Sequence, residues 1–142
     1  MIKKPIIKLF FLAFFAFLFN LAWEVPHSLL YKTTTEMSQP EFVPRILRAS
    51  AGDIIMILLI FVGISLYNKS LSWNLNKENI IISVILGAAI AIAFELYAQY
   101  THRFEYLPSM PLIPIINVGI TPVLQMVVTP LLVFYLLEKL GV

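Results

Sequence analysis

Residues Asn79–Tyr100, NIIISVILGAAIAIAFELYAQY, decide how this chain folds. The stretch holds 22 residues and a single charge, Glu95. A helix needs roughly 20 apolar residues to cross a hydrocarbon core about 30 Å thick. The apolar residues run on without the alternation of a barrel strand. In lipid, such a segment satisfies its own backbone only as a helix. We therefore read Asn79–Tyr100 as a membrane-spanning helix.

Three further blocks of the same kind surround it. The first covers about Pro5–Trp23, PIIKLFFLAFFAFLFNLAW; the second about Ala51–Tyr67; the fourth about Val118–Leu137. Of the 142 residues, 60% are hydrophobic and 13% charged, with a mean hydropathy of +0.89. Soluble domains carry about a quarter charged residues, too many more than this chain has for water to be its solvent. The expected fold is an all-α integral membrane protein, one domain over residues 1–142 built as a four-transmembrane-helix bundle. A basic start before an apolar stretch also fits a cleaved signal peptide. The near-complete span, the phenylalanines and the lack of a small-x-small site before Glu24 favour an uncleaved anchor.

Four spans place both termini on one side. Lys3, Lys4, Lys8, Lys69, Lys77 and Lys139 fall on that side, against Lys32, Arg45, Arg48 and Arg103 on the other. The basic cluster at the start usually dominates, so both termini are expected to be cytoplasmic, in a multi-pass protein of a cell membrane of the bacterial inner-membrane type. The loop 68–78 is then cytoplasmic. Two richer loops, Glu24–Ser50 and Thr101–Asn117, face outward. The second carries Pro108, Pro111 and Pro114, which favours an extended, polyproline-like path. Its apolar residues place it over the helix ends, as a stiff lid or as an interfacial strap.

Charged groups inside spans are costly and usually face protein or a water-filled cavity. Glu24 ends the first span, beside Trp23, where the interface could solvate it. Asp53 opens the second span, where the helix dipole could stabilise it or Arg45 and Arg48 could meet it. Glu95 lies about five residues inside its span, on a stripe with Gly87, Ala91 and Gln99. Small residues at that spacing let helices approach closely, so Glu95 should face the bundle. It then either pairs with Arg45, Arg48 or Arg103, or carries a proton. In the fourth span, Pro122 either frees a carbonyl near Val118 or starts the helix with Thr121 as cap. Pro130 frees one near Met126, and Gln125 needs a polar partner.

Glu24, Asp53, Glu95 and Gln125 thus come from four segments to one outward level. Gln99 belongs with them, and His27, His102, Arg45, Arg48, Arg103, Tyr31, Tyr97, Tyr100 and Tyr106 could form the rim. Apart from the tyrosines, these residues are the expected ligand-binding set, with Glu95 the candidate catalytic residue. The histidines lack metal-ligand spacing and no HExxH motif is present, so no metal is assigned and no cofactor motif appears. There is no cysteine and no Gly-x-Ser-x-Gly, which removes the familiar nucleophile signatures. The formal charge of +2 without a basic cluster excludes a nucleic-acid partner. Arginines at the outer surface suit phosphate, so membrane lipid or a small amphipathic ligand is the expected partner, and a transporter would need to form a homo-oligomer.

Three functions follow: a binder or mover of an amphipathic molecule, a membrane enzyme doing acid–base chemistry on a lipid or isoprenoid, and a structural or accessory subunit. For the enzyme, a protonated Glu95 would donate to a double bond, and a second carboxylate with aromatic rings would stabilise the cation. In architecture this arrangement resembles four-helix membrane isomerases of the sterol isomerase class, with no motif carried over residue by residue.

Overall fold

A computed structural model describes residues 3–142, with side chains from residue 5 onward. The side chains of Lys3 and Lys4, which weigh on the orientation, lie outside the described residues. The order is α1 (Lys3–His27), a 3-10 turn (Ser28–Leu30), α2 (Lys32–Thr35), α3 (Gln39–Tyr67), α4 (Lys77–Tyr100), β1 (Leu112–Ile113), β2 (Val118–Gly119) and α5 (Ile120–Leu140). Four helices, α1, α3, α4 and α5, are long and apolar enough to cross a membrane.

The helices run longer than their apolar blocks. The expected loop Glu24–Ser50 is largely helical, because α3 begins at Gln39 rather than Ala51. Its start carries a capping box: Ser38 and Glu41 satisfy each other's backbone N–H groups, and Pro40 occupies the first turn. A proline there loses no helical hydrogen bond. This polar start was hidden because hydropathy marks the apolar part of a helix, not its ends. Asp53 therefore sits well inside α3, and stabilisation by the helix amino end is ruled out.

The long helices close a ring in which α1 packs on α3 and α5, and α4 packs on α3 and α5. Along α4 and α5 the two backbones come very close. Gly87 and Ala91 are buried there, and a Cβ placed on Gly87 would collide with the carbonyl of Met126. Pro130 lacks the N–H that would bond that carbonyl. A bare glycine lets α4 approach the freed oxygen, in the geometry of Cα–H···O contacts between helices. Pro122 lies in the first turn of α5, as a helix-start proline should, but Thr121 does not cap it. The N-cap residue is Gly119, and the Thr121 hydroxyl points to Met110 Sδ at 3.3 Å.

The two ends of the bundle differ in chemistry. At the end holding Lys8 and the 68–76 connection, Leu12, Ile57, Ile60, Phe61, Ile64, Val133, Phe134 and Leu137 form a continuous apolar core. Trp73 folds back on it, donating to Ser65 at 3.0 Å, with the Lys8 ammonium 5.9 Å from the Trp73 and Phe61 rings. The other end is packed with polar groups.

The proline-rich segment covers that polar end. It does not follow one polyproline path: it turns, pairs β1 antiparallel with β2, and is sewn to the 3-10 turn. Leu107 N donates to Leu30 O and Lys32 N to Glu105 O, each at 2.9 Å, and the Lys32 ammonium meets Glu105 at 3.2 Å. The hairpin turn puts Ile115 at φ +77° with its side chain 97% exposed, a conformation that disfavours β-branched residues.

Candidate functional site

The polar end is organised by Gln125. It lies one turn into α5 and is buried, and a buried amide is costly unless hydrogen-bonded. Its Nε2 stands 3.0 Å from Asn20 Oδ1, 3.0 Å from Glu24 Oε1 and 2.9 Å from Asp53 Oδ2. One amide nitrogen thus gathers acceptors from α1 and α3. Asn20 and Glu24 reach it together because a four-residue step returns to the same face of a helix. Thr129, a turn beyond Gln125, donates to the Gln125 carbonyl at 2.7 Å and lies 3.4 Å from Asn20 Oδ1.

A second cluster adjoins the first. Glu95 is 4% exposed and accepts a hydrogen bond from the Tyr106 hydroxyl. That hydroxyl accepts from Gln99 Nε2 at 3.2 Å and from Gly119 N at 3.1 Å. The expected pairing of Glu95 with Arg45, Arg48 or Arg103 is not formed; among the described residues, these arginines make no ion pair with a carboxylate. The reason is positional, since Tyr106 is brought to Glu95 by the bridge between Tyr31 and Tyr106. Burial is the main force raising the Tyr106 phenol above its ordinary pKa, and its bond to Glu95 adds to the rise.

His27 links the clusters. It ends α1, is 5% exposed, and its Nε2 faces the Tyr31 hydroxyl at 3.3 Å. Its Nδ1 lies 3.6 Å from Glu24 Oε1 and has no hydrogen-bond partner. Tyr31 packs edge-on to His27 and Phe104, with ring centroids 5.0 and 4.9 Å away, and lies 5.5 Å from Tyr106. Burial foremost, and then the charges of Glu95, Tyr106, Glu24 and Asp53, raise the Tyr31 phenol well above its usual value.

Several of these groups face a cavity of about 840 Å³ that opens between α3 and α4. Glu24, His27, Asp53, Glu95 and Gln125 line its closed side, and Arg45, Arg48 and Arg103 line it as well. On α3 the room is made by Ala49 and Gly52, and nothing lies within 4 Å of where a Gly52 Cβ would be. Ser28, Tyr31 and Thr34 add to the polar lining, and Ile55, Met56, Leu59, Ile90 and Phe94 form an apolar stretch of wall. Ile55 and Leu59 are 62% and 55% exposed, so the cavity opens sideways between α3 and α4 through apolar side chains.

Of the residues expected to act together, eight line this cavity; Gln99 and His102 do not. Gln99 is spent on Tyr106 and Asn117 O, and His102 sits exposed in the turn after α4 at φ +52°. Tyr97 and Tyr100 face outward rather than forming a rim, and Arg103 lies 5.1 Å above the Tyr97 ring. Asn20 and Thr129 were missed as members of the site. Their four-residue spacing from Glu24 and Gln125 is the signal that would have found them. Among the described residues, no three acidic or histidine side chains converge as metal ligands.

Comparison with protein-family models, curated proteins and solved structures finds no match to this chain.

Proposed function

We propose that this chain is a multi-pass membrane protein, termini cytoplasmic, whose outward-facing cavity binds or moves a small amphipathic molecule or lipid. One observation carries the reading: a single cavity is polar and charged on its closed side and apolar where it opens between α3 and α4. Ligand pockets typically join apolar walls to a few convergent polar groups. A headgroup would lie among the carboxylates and arginines, and an acyl or isoprenoid tail would leave past Ile55, Leu59 and Phe94 into the bilayer.

The test is lipid retention. The full chain is purified in mild detergent, and co-purifying lipid is extracted and identified by mass spectrometry. Ile55→Trp combined with Leu59→Trp fills the apolar opening from outward-facing positions. Loss of a stoichiometric lipid with the fold preserved supports the reading; a wild-type protein that carries and takes up no lipid overturns it.

The enzyme reading draws support from one feature. Glu24 and Asp53 both come within 3.0 Å of one atom, with Glu95 on the same cavity, and paired carboxylates are common acid–base machinery. Conversion of the retained lipid during incubation, abolished in Glu95→Gln while binding persists, would favour it. An accessory subunit would instead lose stability in Glu95→Gln with unchanged lipid content.

A further inference from the structure

We propose that the cavity selects a zwitterionic headgroup, with its ammonium on Glu24 and Asp53 beside His27 and its phosphate on Arg45, Arg48 and Arg103. This rests on the reading of the cavity as a site for an amphipathic molecule, and it names the headgroup chemistry.

The first argument is a count of donors and acceptors. Gln125 Nε2 carries two hydrogens but stands within 3.0 Å of three acceptor oxygens, on Asn20, Glu24 and Asp53. Glu24 and Asp53 each meet it through one oxygen, leaving the second oxygen of each able to accept from a ligand. Around Gln125 Nε2, acceptors therefore outnumber donors, and unmet acceptors in a low-dielectric site are costly. A group that only donates, and brings positive charge, satisfies both deficits; an ammonium has three such hydrogens.

The second argument comes from His27. His27 Nδ1 belongs to a side chain more than nine-tenths buried, lines the cavity, and has no hydrogen-bond partner. When His27 Nε2 carries the hydrogen shared with Tyr31, Nδ1 is a bare acceptor beside Glu24 Oε1, 3.6 Å away. Two acceptors facing each other this closely repel, and an ammonium on the second oxygen of Glu24 relieves that repulsion.

The third argument concerns the arginines. They line the same cavity without a carboxylate partner among the described residues. Arg48 and Arg45 precede Asp53 by five and eight residues on one helix, about 7 and 12 Å along its axis. Long side chains from those positions can reach an anion held next to an ammonium near Asp53. Guanidinium forks match phosphate oxygens, and Arg103, 5.1 Å above the Tyr97 ring, lines the same cavity. One molecule with a short spacer can carry both the anion and the cation, because both charge sets face one cavity.

The shared chemistry is that of an ammonium–phosphate pair, found in an aminophospholipid and in soluble phosphoethanolamine. The test uses the full wild-type chain, delipidated in detergent. It is offered phosphatidylethanolamine, phosphatidylglycerol or phosphoethanolamine, with binding read by native mass spectrometry and thermal shift. We expect phosphatidylethanolamine to bind about tenfold tighter than phosphatidylglycerol, the scale of one charge-assisted hydrogen bond. Weaker binding of phosphoethanolamine assigns the site to the lipid; equal binding supports the headgroup and assigns it to the soluble form. Glu24→Gln with Asp53→Asn should erase the preference between the lipids, whereas Arg48→Gln with Arg45→Gln should weaken both. Equal binding of the two lipids by wild-type protein overturns the headgroup assignment while leaving an amphipathic site standing; binding of neither overturns the amphipathic site itself. The wild-type comparison decides the matter even where the acidic variants do not fold.

Discussion

Gln125 on α5 donates to Asp53 on α3 across 2.9 Å, although these helices face each other across the bundle rather than packing along their length. The bond spans the interior and draws Asn20 and Glu24 of α1 to the same nitrogen. Replacing Gln125 with leucine keeps the volume and removes the donor from all three. Leaving a buried polar group unsatisfied costs about 1–3 kcal/mol, so Gln125→Leu should lower stability by at least that amount, read as the midpoint of thermal or denaturant unfolding in detergent. An unchanged midpoint would mean that the three acceptors are solvated without it.

Gly87 and Gly52 should respond oppositely to alanine. At Gly87 the new methyl meets the Met126 carbonyl, which is backbone and cannot step aside. Overpacking of this kind costs about 1–3 kcal/mol. At Gly52 nothing lies within 4 Å, and alanine is favoured over glycine in a helix by about 1 kcal/mol. Unfolding midpoints of Gly87→Ala and Gly52→Ala should therefore fall on opposite sides of the parent.

Tyr106→Phe removes one oxygen that serves Glu95, Gln99 and the Gly119 amide together. The expected loss is about 1–3 kcal/mol. Faster amide hydrogen exchange should be confined to the segment 101–119, which that hydroxyl helps hold down. Loss of protection spread evenly over all four long helices would contradict this local role.

Alkaline titration should single out two of the six tyrosines. Tyr31 and Tyr106 have pKa values raised above the ordinary 10.0, chiefly by burial. In the unfolded chain both lose their protons at about pH 10, while the folded protein retains them. Their contribution to stability is thus complete below that pH and declines as pH rises above it. Phenolate absorbance should show these two ionising late, together with unfolding, and Tyr31→Phe or Tyr106→Phe should delete one late step.

Orientation is accessible through the absence of cysteine. Single cysteines at Ser109 and at Lys69 should divide cleanly: an impermeant reagent added to intact cells labels the first and spares the second. Labelling at Lys69 would invert the topology, and with it the side from which the cavity is reached.

The apolar blocks were legible in the sequence because a helix crossing lipid must be long and continuously apolar, a property of neighbouring residues alone. The stripe of Gly87, Ala91 and Glu95 was legible for the same reason, since helical periodicity puts all three on one face. The polar first turns of α3 escaped that reading, because Ser38 and Glu41 signal a helix start through capping rather than hydropathy. Nor could the sequence choose partners. Glu95 had three arginines within plausible reach, and the pairing of Tyr31 with Tyr106 across the proline-rich segment delivered a phenol instead. The convergence of Asn20, Glu24 and Asp53 on Gln125 likewise depends on which helices are adjacent and how they are rotated. Local chemistry determined that this chain forms four helices fit for a membrane; only tertiary packing decided which of their polar groups meet, because a hydrogen bond needs distance and direction that sequence spacing along one helix does not supply.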